Sequence, residues 1–179
     1  MTDPVLDAIR RRRVTRAMTD EPVSREQVET ILDAARWAPT AGNRHLQRYV
    51  ATTHSGPLRV LRMVSPGMIP RPPAAIVICV DRGLSEQYGF RPEAPGPWID
   101  VGTATATILL AAQAVGLGAA PVSSFSHAAV AEALGLPDGW DPVLIVCLGH
   151  PAPEQPRPIS PNRGLTWRDL TQWVPAHES

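Results

Sequence analysis

Two apolar runs place the strongest limit on what this chain can fold into. Residues 74–81 read AAIVICVD and residues 143–149 read VLIVCLG, and the two runs carry almost no polar side chain. A strand of this kind is covered on both faces, because neither face can be left in water. The chain is therefore expected to build one sheet with helices on both sides of it.

Helical spacing and capping residues predict the helices that cover this sheet. Apolar residues follow Ser24 at helical spacing, and Gln27 completes a capping box. Other helices are predicted to start near Asp3, near Trp98, at Ser126 and at Thr166. The helix over about 98–115 closes at a Gly-Leu-Gly sequence, and a further strand is predicted over 48–53. This order favours an α+β or mixed three-layer sandwich, formed by residues 1–179 as a single domain.

Charge and composition narrow the class of function. Seventeen arginines balance seventeen acidic residues, and the chain contains no lysine. A net charge of zero indicates neither a nucleic acid nor a membrane as partner, and catalysis through a Schiff-base lysine is excluded. The weakly polar stretch 101–121 contains Gln113 and is better explained as a buried helix than as a membrane span. The N-terminus has no secretory-signal pattern, so we expect a cytoplasmic protein.

The titratable residues indicate neither a metal centre nor a catalytic dyad. Cys79 and Cys147 each lie inside an apolar run, so we interpret them as buried free thiols in adjacent strands. The five histidines have no metal-binding spacing, and no GxSxG, Walker or GxGxxG motif is present. Arginines and main-chain donors without a dyad are typical of a protein in which a cofactor performs the chemistry.

Five arginines within seven residues form the most unusual local feature, since residues 10–16 read RRRRVTR. Close positive charges repel each other, and planar guanidinium groups suit phosphate, so a phosphate-containing ligand is one explanation. The run also ends the predicted first helix, whose C-terminal dipole it would complement. A third explanation is a nucleic-acid-binding arm, although no aromatic residues are interleaved with the arginines.

Two further segments are candidates for ligand contact. Residues 38–45, APTAGNRH, follow the second helix. Their Pro, Gly and Asn residues are typical of an ordinary turn, or they form a loop whose main chain and Asn43 amide contact a planar heterocycle. Residues 116–125, GLGAAPVSSF, link the long helix to the next one. They form either a plain connector or an exposed main chain that donates N–H groups to a ligand.

Taken together, these segments resemble the FMN-dependent nitroreductase family, and the resemblance covers about residues 5–170. An arginine-rich end of the first helix is followed by an Ala-Pro-Thr loop that contains Asn43. Next come a central helix that contains Asp100 and closes in Gly-Leu-Gly, and then LGLPDG leading to LIVCLGHP. Each motif alone is weak, whereas their common order is specific.

The resemblance implies a three-layer sandwich with a central mixed sheet and a domain-interlocked homodimer. Two FMN sites would lie at the interface, and the long central helix would pair with its copy. Residues 151–161, PAPEQPRPISP, predict an extended arm by their proline content. The whole segment 151–179 would then reach the partner subunit as an arm followed by a short helix.

The resemblance also implies which residues bind the cofactor. Arg12, with Arg13 beside it, would hold the FMN phosphate, on which Arg163 would close, and Arg16 would act as an electrostatic stabiliser near the pyrimidine end of the flavin. The main-chain N–H groups of Ser123 and Ser124 would face N5 and O4 of the flavin, and Thr40 and Asn43 would reach it from the other subunit. The implied set is Arg12, Arg13, Arg16, Pro39, Thr40, Asn43, Pro121, Val122, Ser123, Ser124 and Arg163, with no metal ligands.

The implied activity is oxidation of NADH or NADPH and reduction of an electron-poor acceptor, such as a nitroaromatic or a quinone, by a ping-pong mechanism. Val14 stands where the family has a phosphate-binding Ser, and His45 stands where Gln is usual. These departures keep open a catalytically degenerate flavin- or nucleotide-binding protein on the same fold. The arginine run keeps open a nucleic-acid binder.

Overall fold

A four-stranded sheet forms the centre of the computed structural model, which describes residues 3–156 and 164–174. The strands are β1 (Gln47–Thr52), β2 (Ala74–Asp81), β3 (Gly118–Val122) and β4 (Trp140–Gly149), in the order β1-β2-β4-β3. All three neighbouring pairs are antiparallel. The α+β fold is confirmed, but the expected mixed sheet is antiparallel throughout these four strands.

The strand order explains why no mixed sheet forms here. β2 and β3 run in the same direction, as do β1 and β4, but a strand of opposite direction separates the members of each pair. Among the described residues, parallel pairing is limited to an isolated bridge between Val14 and Ala119. Apolar patterning carries no information on strand direction, so the sequence had no means to settle this point.

Six α-helices flank the sheet in the described part of the chain. They are α1 (Pro4–Arg11), α2 (Arg25–Ala35), α3 (Ser55–Met63), α4 (Arg82–Gln87), α5 (Gly96–Ala114) and α6 (His127–Leu134). The predicted caps are confirmed at Ser24 with Gln27 and at Ser126, and the predicted helix start near Asp3 is confirmed with Asp3 as its N-cap. Gly135 ends α6 with a φ of 58°, a conformation that glycine adopts without steric cost.

The C-terminal element is shorter than predicted. Thr166 and Asp169 form the expected capping box, but the element is a single 3₁₀ turn at Trp167–Leu170. None of its residues is buried, and a short helix without packing is not stable in water. The helix α4 was not predicted at all.

The two faces of the sheet carry separate hydrophobic cores, because successive side chains of a strand point to opposite faces. Ile76 and Ile78 of β2 lie in the core that includes α2 and α5. Val77 and Cys79 lie in the core that includes α3 and α6. The predicted three-layer sandwich is therefore confirmed, and so are the buried free thiols of Cys79 and Cys147 in neighbouring strands.

Several apolar surfaces remain exposed in the single chain. α1 has no buried residue, and α5 presents Ile99, which is 61% exposed, on the side away from the sheet. The exposed apolar residues of α1 and of the C-terminal arm are Val5, Leu6, Ile9, Leu165, Trp167, Leu170, Trp173 and Val174. None of the helices within residues 3–156 and 164–174 combines the length and the apolar character that crossing a membrane requires.

Candidate functional site

The arginine-rich segment leaves α1 and runs along the edge of the sheet. The Thr15 N–H donates to the carbonyl of Ala119 on β3 at 3.0 Å, and the Thr19 N–H donates to the carbonyl of His150 after β4 at 2.9 Å. A Cβ on Gly118 would overlap the buried Thr15 side chain. Glycine therefore permits the close approach that holds this segment where β3 begins and β4 ends.

The arginines of this segment have different environments. Nη1 of Arg13 donates to the carbonyls of Arg10 at 2.7 Å and Arg12 at 2.9 Å, so Arg13 neutralises the C-terminal end of α1. Arg12 and Arg16 are half-buried, and within residues 3–156 and 164–174 their guanidinium groups have no partner. A partly buried cation without a counter-ion favours an anionic ligand, because burial raises the cost of leaving the charge unpaired.

Gln155 fastens this segment from the proline-rich arm. Its Oε1 accepts hydrogen bonds from the N–H groups of Arg16 at 3.0 Å and Ala17 at 3.1 Å, and its Nε2 donates to the Ala17 carbonyl at 2.7 Å. The beginning of the arm, residues 151–156, therefore packs on its own chain. Arg163, which the family resemblance places at the phosphate, lies outside the described residues.

The main chain after β3 offers free donor groups. Ser123 and Ser124 are exposed, and the described residues provide no acceptor for the N–H group of either one. Pro121 is exposed as well, whereas the Val122 side chain is buried in the core with α3 and α6. The Val122 side chain is therefore not available to a ligand, and its main chain pairs with Ile145 of β4.

A turn that the sequence did not indicate as part of the site supports this donor segment. The Gly67 N–H donates to the Ser124 carbonyl at 3.0 Å, and a Cβ on Gly67 would lie 2.9 Å from the Ser124 Cβ. Ser65 in the same turn is buried, and its Oγ has no partner among the described residues. The dipeptide Pro66-Gly67 does signal a turn, but only the tertiary structure brings it to residue 124.

The loop between α2 and β1 has an unusual backbone. Asn43 and His45 have positive φ angles of 55° and 50°, which are uncommon outside glycine and cluster at functional sites. The His45 N–H donates to Oγ1 of Thr40 at 3.3 Å, and the His45 ring nitrogen Nε2 lies 3.0 Å from Oδ1 of Asn43. These contacts hold the loop in the strained form.

Two side chains at the start of α5 anchor the loop. Asp100 is 2% exposed, and its Oδ1 accepts a hydrogen bond from the Ala41 N–H at 2.9 Å. Oγ1 of Thr103 donates to the Pro39 carbonyl at 2.8 Å. Asp100 is thus a structural anchor of the loop. Sequence spacing could not indicate this role, because 59 residues separate Asp100 from Ala41.

The arginine segment and the 39–45 loop lie at diagonally opposite corners of the sheet in one chain. Val14 lies beside β3 at the level of Ala74 on β2, whereas the loop enters β1 at Gln47, at the level of Val80. Six residues along a strand and four interstrand spacings, counted from β1 to the segment beside β3, correspond to about 28 Å. The structure therefore does not bring the loop residues together with the arginines within one protomer.

Neither cysteine contributes to a reactive centre. Burial raises the pKa of the Cys147 thiol to about 12. Burial, together with the negative charge of Asp141, raises the pKa of the Cys79 thiol to about 12 as well. Because the thiolate is the nucleophile, both groups are inert at neutral pH.

Comparison with known proteins identifies a family match and relatives of this chain. The sequence matches the nitroreductase family over residues 9–65 and 60–150. It is 32% identical over 157 residues to an Archaeoglobus fulgidus protein named as an NADH dehydrogenase/NAD(P)H nitroreductase, covering 84% of this chain and 87% of that one. It is 26% identical over 164 residues to the FMN reductase [NAD(P)H] of Bacillus subtilis, covering 83% of this chain and 66% of that one.

Solved structures show the same fold. A nitroreductase family protein from Clostridium difficile 630 superimposes with a TM-score of 0.73 and 26% identity, covering 100% of this chain and 99% of the other. A protein of that family from Streptococcus pneumoniae TIGR4 superimposes with a TM-score of 0.78 and 18% identity, covering 95% of this chain and all of the other.

Proposed function

Because the chain belongs to the nitroreductase family, we propose that it is an FMN-dependent oxidoreductase that oxidises NAD(P)H and reduces an electron-poor acceptor. The observation that carries this proposal is the pair of half-buried arginines, Arg12 and Arg16, that have no partner in the described part of the chain. The B. subtilis relative, an FMN reductase [NAD(P)H], supports the choice of FMN and of the nicotinamide donor. Bound FMN would supply the redox chemistry that carries electrons from NAD(P)H to a nitroaromatic or quinone acceptor.

The residues present fit such a cofactor. Arg12 would bind the phosphate, Arg16 would stabilise the pyrimidine end of the ring system, and the N–H groups of Ser123 and Ser124 would donate to the polar edge of the ring. Four residues separate Ala119, beside the arginine segment, from Ser123, which corresponds to about 13 Å along the strand. The two ends of β3 therefore offer separate groups for the phosphate and for the ring system of the cofactor.

Two members of the expected set take limited parts. Arg13 already donates to the carbonyls that end α1, so its contribution is to hold the helix end in place rather than to bind the phosphate directly. Val14 packs against the core with α3 and α6 and offers no hydroxyl group. Among the described residues, phosphate binding would therefore depend mainly on Arg12.

We propose further that the active form is a homodimer in which the 39–45 loop of one protomer completes the site of the other. The separation of about 28 Å between loop and arginine segment prevents one protomer from using both on one flavin ring. The exposed apolar residues of α1, α5 and the C-terminal arm supply a surface for association. Sedimentation equilibrium should give twice the chain mass, and an Ile99→Glu substitution should lower it. A monomer that binds FMN fully would contradict the shared site.

The first experiment is a visible spectrum of the purified protein, followed by release of the flavin on heating. We expect about one FMN per chain and NAD(P)H oxidation in the presence of a quinone or a nitroaromatic compound. Arg12→Ala should weaken FMN binding by about 1.5–3 kcal/mol, the contribution of a charge-assisted hydrogen bond. Arg25→Ala is the matched control, because it removes an equal charge from the surface of α2.

The proposed role of Arg16 is tested by the reduction potential of the bound cofactor. A positive charge beside the ring system stabilises the reduced form of the cofactor, which carries more negative charge. Arg16→Ala should therefore lower the reduction potential, and an unchanged potential would remove this assignment. A protein that retains FMN but does not oxidise NAD(P)H would be a flavin-binding protein that has lost catalysis.

A further inference from the structure

A cavity outside the proposed flavin site gathers three more arginines. It has a volume of about 640 Å³ and lies between α3, the segment after the arginine run, and the approach to β2. Arg59 and Arg62 of α3 and Arg71 before β2 line it, and Asp20 is the one carboxylate among its lining residues. Pockets of this volume are typical of sites for small organic molecules.

The arginines of this cavity have no counter-ion in the described part of the chain. Arg11, Arg25, Arg36, Arg48 and Arg82 all form ion pairs with acidic residues. Arg59, Arg62 and Arg71 form none, and neither does Asp20. Arg59 and Arg62 are three residues apart on one helix, where like charges destabilise the helix. Three unpaired cations around one concave surface favour an anion that bridges them.

The start of α3 adds hydrogen-bond donors to the same cavity. Ser55, the first residue of the helix, lies on the face of α3 that carries Arg59 and Arg62, and it lines the cavity together with Thr53. The residue before the helix, His54, makes no capping hydrogen bond with its side chain. Uncapped N–H groups at a helix start add positive potential to that of the arginines.

The rest of the wall is apolar. Pro22, Val23, Leu58, Pro72 and Pro73 complete the lining, and Val23 and Leu58 are buried. A cationic rim over an apolar wall suits a molecule that has both a phosphate and a flat, weakly polar body. Inorganic phosphate alone would leave the apolar wall unused.

The cavity is distinct from the proposed flavin site. It lies where β1 ends and β2 begins, whereas the arginine segment adjoins β3 at the other edge of the sheet. Three to four interstrand spacings separate them, about 14–19 Å. We propose that the Arg59–Arg62–Arg71 cavity is a second ligand site, which binds an organic phosphate of the size of a mononucleotide.

Calorimetric titration of the FMN-saturated protein with adenosine 5′-phosphate, adenosine and inorganic phosphate tests this site. We expect adenosine 5′-phosphate to bind at least about tenfold more tightly than either fragment, and more weakly as salt increases. Arg59→Ala should weaken its binding about tenfold to a hundredfold, as expected for a lost charge-assisted hydrogen bond. Arg25→Ala, which removes an arginine from α2, should leave it unchanged. Equal binding of adenosine and its phosphate, no binding of either, or an unaffected Arg59→Ala variant would overturn the proposal.

The same variant identifies the source of the phosphate. If the cavity receives the adenylate half of the nicotinamide donor, adenosine 5′-phosphate competes with NAD(P)H and Arg59→Ala raises the KM for it. If the ligand is a separate nucleotide, binding still depends on Arg59 but the KM is unchanged. Flavin content is measured independently, so a colourless protein that binds the nucleotide would refute the proposed function and leave this site standing.

Discussion

Gly118 is the position at which a single methyl group should separate the arginine segment from the sheet. A Cβ there would lie 2.6 Å from both the Cβ and the Cγ2 of Thr15. Carbon atoms in contact are normally about 3.5–4.0 Å apart, so the overlap is about 1 Å with each of two atoms. Thr15 is buried, and its N–H donates to the carbonyl of Ala119, the residue that follows Gly118. Thr15 therefore cannot move away from Gly118 without breaking that hydrogen bond.

The expected cost of Gly118→Ala follows from these contacts. Overpacking a closely packed site costs about 1–3 kcal/mol. Loss of the Thr15–Ala119 hydrogen bond adds about 0.5–1.5 kcal/mol if the two segments move apart. We therefore expect a loss of about 2–4 kcal/mol in the free energy of unfolding, which leaves a typical domain folded. Because Thr15 lies between Arg12 and Arg16, FMN affinity should fall as well.

Urea unfolding and fluorescence titration with FMN measure the two effects. Gly83→Ala is the control, because a Cβ at Gly83 would meet only Oδ1 of Asp81, at an ordinary 3.7 Å. The Thr15→Gly background removes the overlapping atoms, so Gly118→Ala should cost clearly less there than in the wild-type protein. Additive effects of the two substitutions, or equal stability of the Gly118→Ala and Gly83→Ala variants, would refute the reasoning.

Two other predictions concern the loop anchor and the thiols. Asp100→Ala removes the acceptor of the Ala41 N–H and should cost about 1.5–3 kcal/mol of stability together with a loss of FMN affinity. Asp100→Asn retains an acceptor and should cost less. If the two variants have equal effects in urea unfolding and in FMN titration, Asp100 does not anchor the loop through this hydrogen bond. The native protein should not react with a thiol reagent between about pH 7 and 9, because burial raises the pKa of Cys79 and Cys147 to about 12, and unfolding should expose both thiols. The folded protein holds the two thiol protons more tightly than the unfolded chain does. The protonated thiols therefore contribute their full stabilisation below the usual thiol pKa of 9.0, and this stabilisation is lost as the pH rises toward 12. Urea unfolding across this pH range measures the loss.

Local chemistry made much of the fold predictable. The apolar runs of β2 and β4 could be located because a strand buried on both faces excludes polar residues, and β2 spans the predicted 74–81. The caps at Asp3 and Ser24 were equally predictable, because a capping side chain bonds to N–H groups two or three residues away. These features depend on neighbours in sequence and need no knowledge of the rest of the molecule.

The site was only partly predictable for the same reason. The arginine run and the loop with Asn43 are visible as composition and turn chemistry, but their placement at opposite corners follows from the strand order. Asp100, Gln155 and the Gly67 turn were missed because each acts on a segment more than 50 residues away in the chain.

Most of the helices and strands, several of their caps and the types of side chain available for chemistry could be predicted, because these depend on interactions within a few residues. The tertiary structure alone decided which strands are neighbours, which arginines keep a free charge, and how closely the backbone at Gly118 approaches Thr15. Those properties depend on packing between distant segments. Composition does not reveal that Arg13 caps the end of a helix, whereas the guanidinium group of Arg12 has no partner in the described part of the chain.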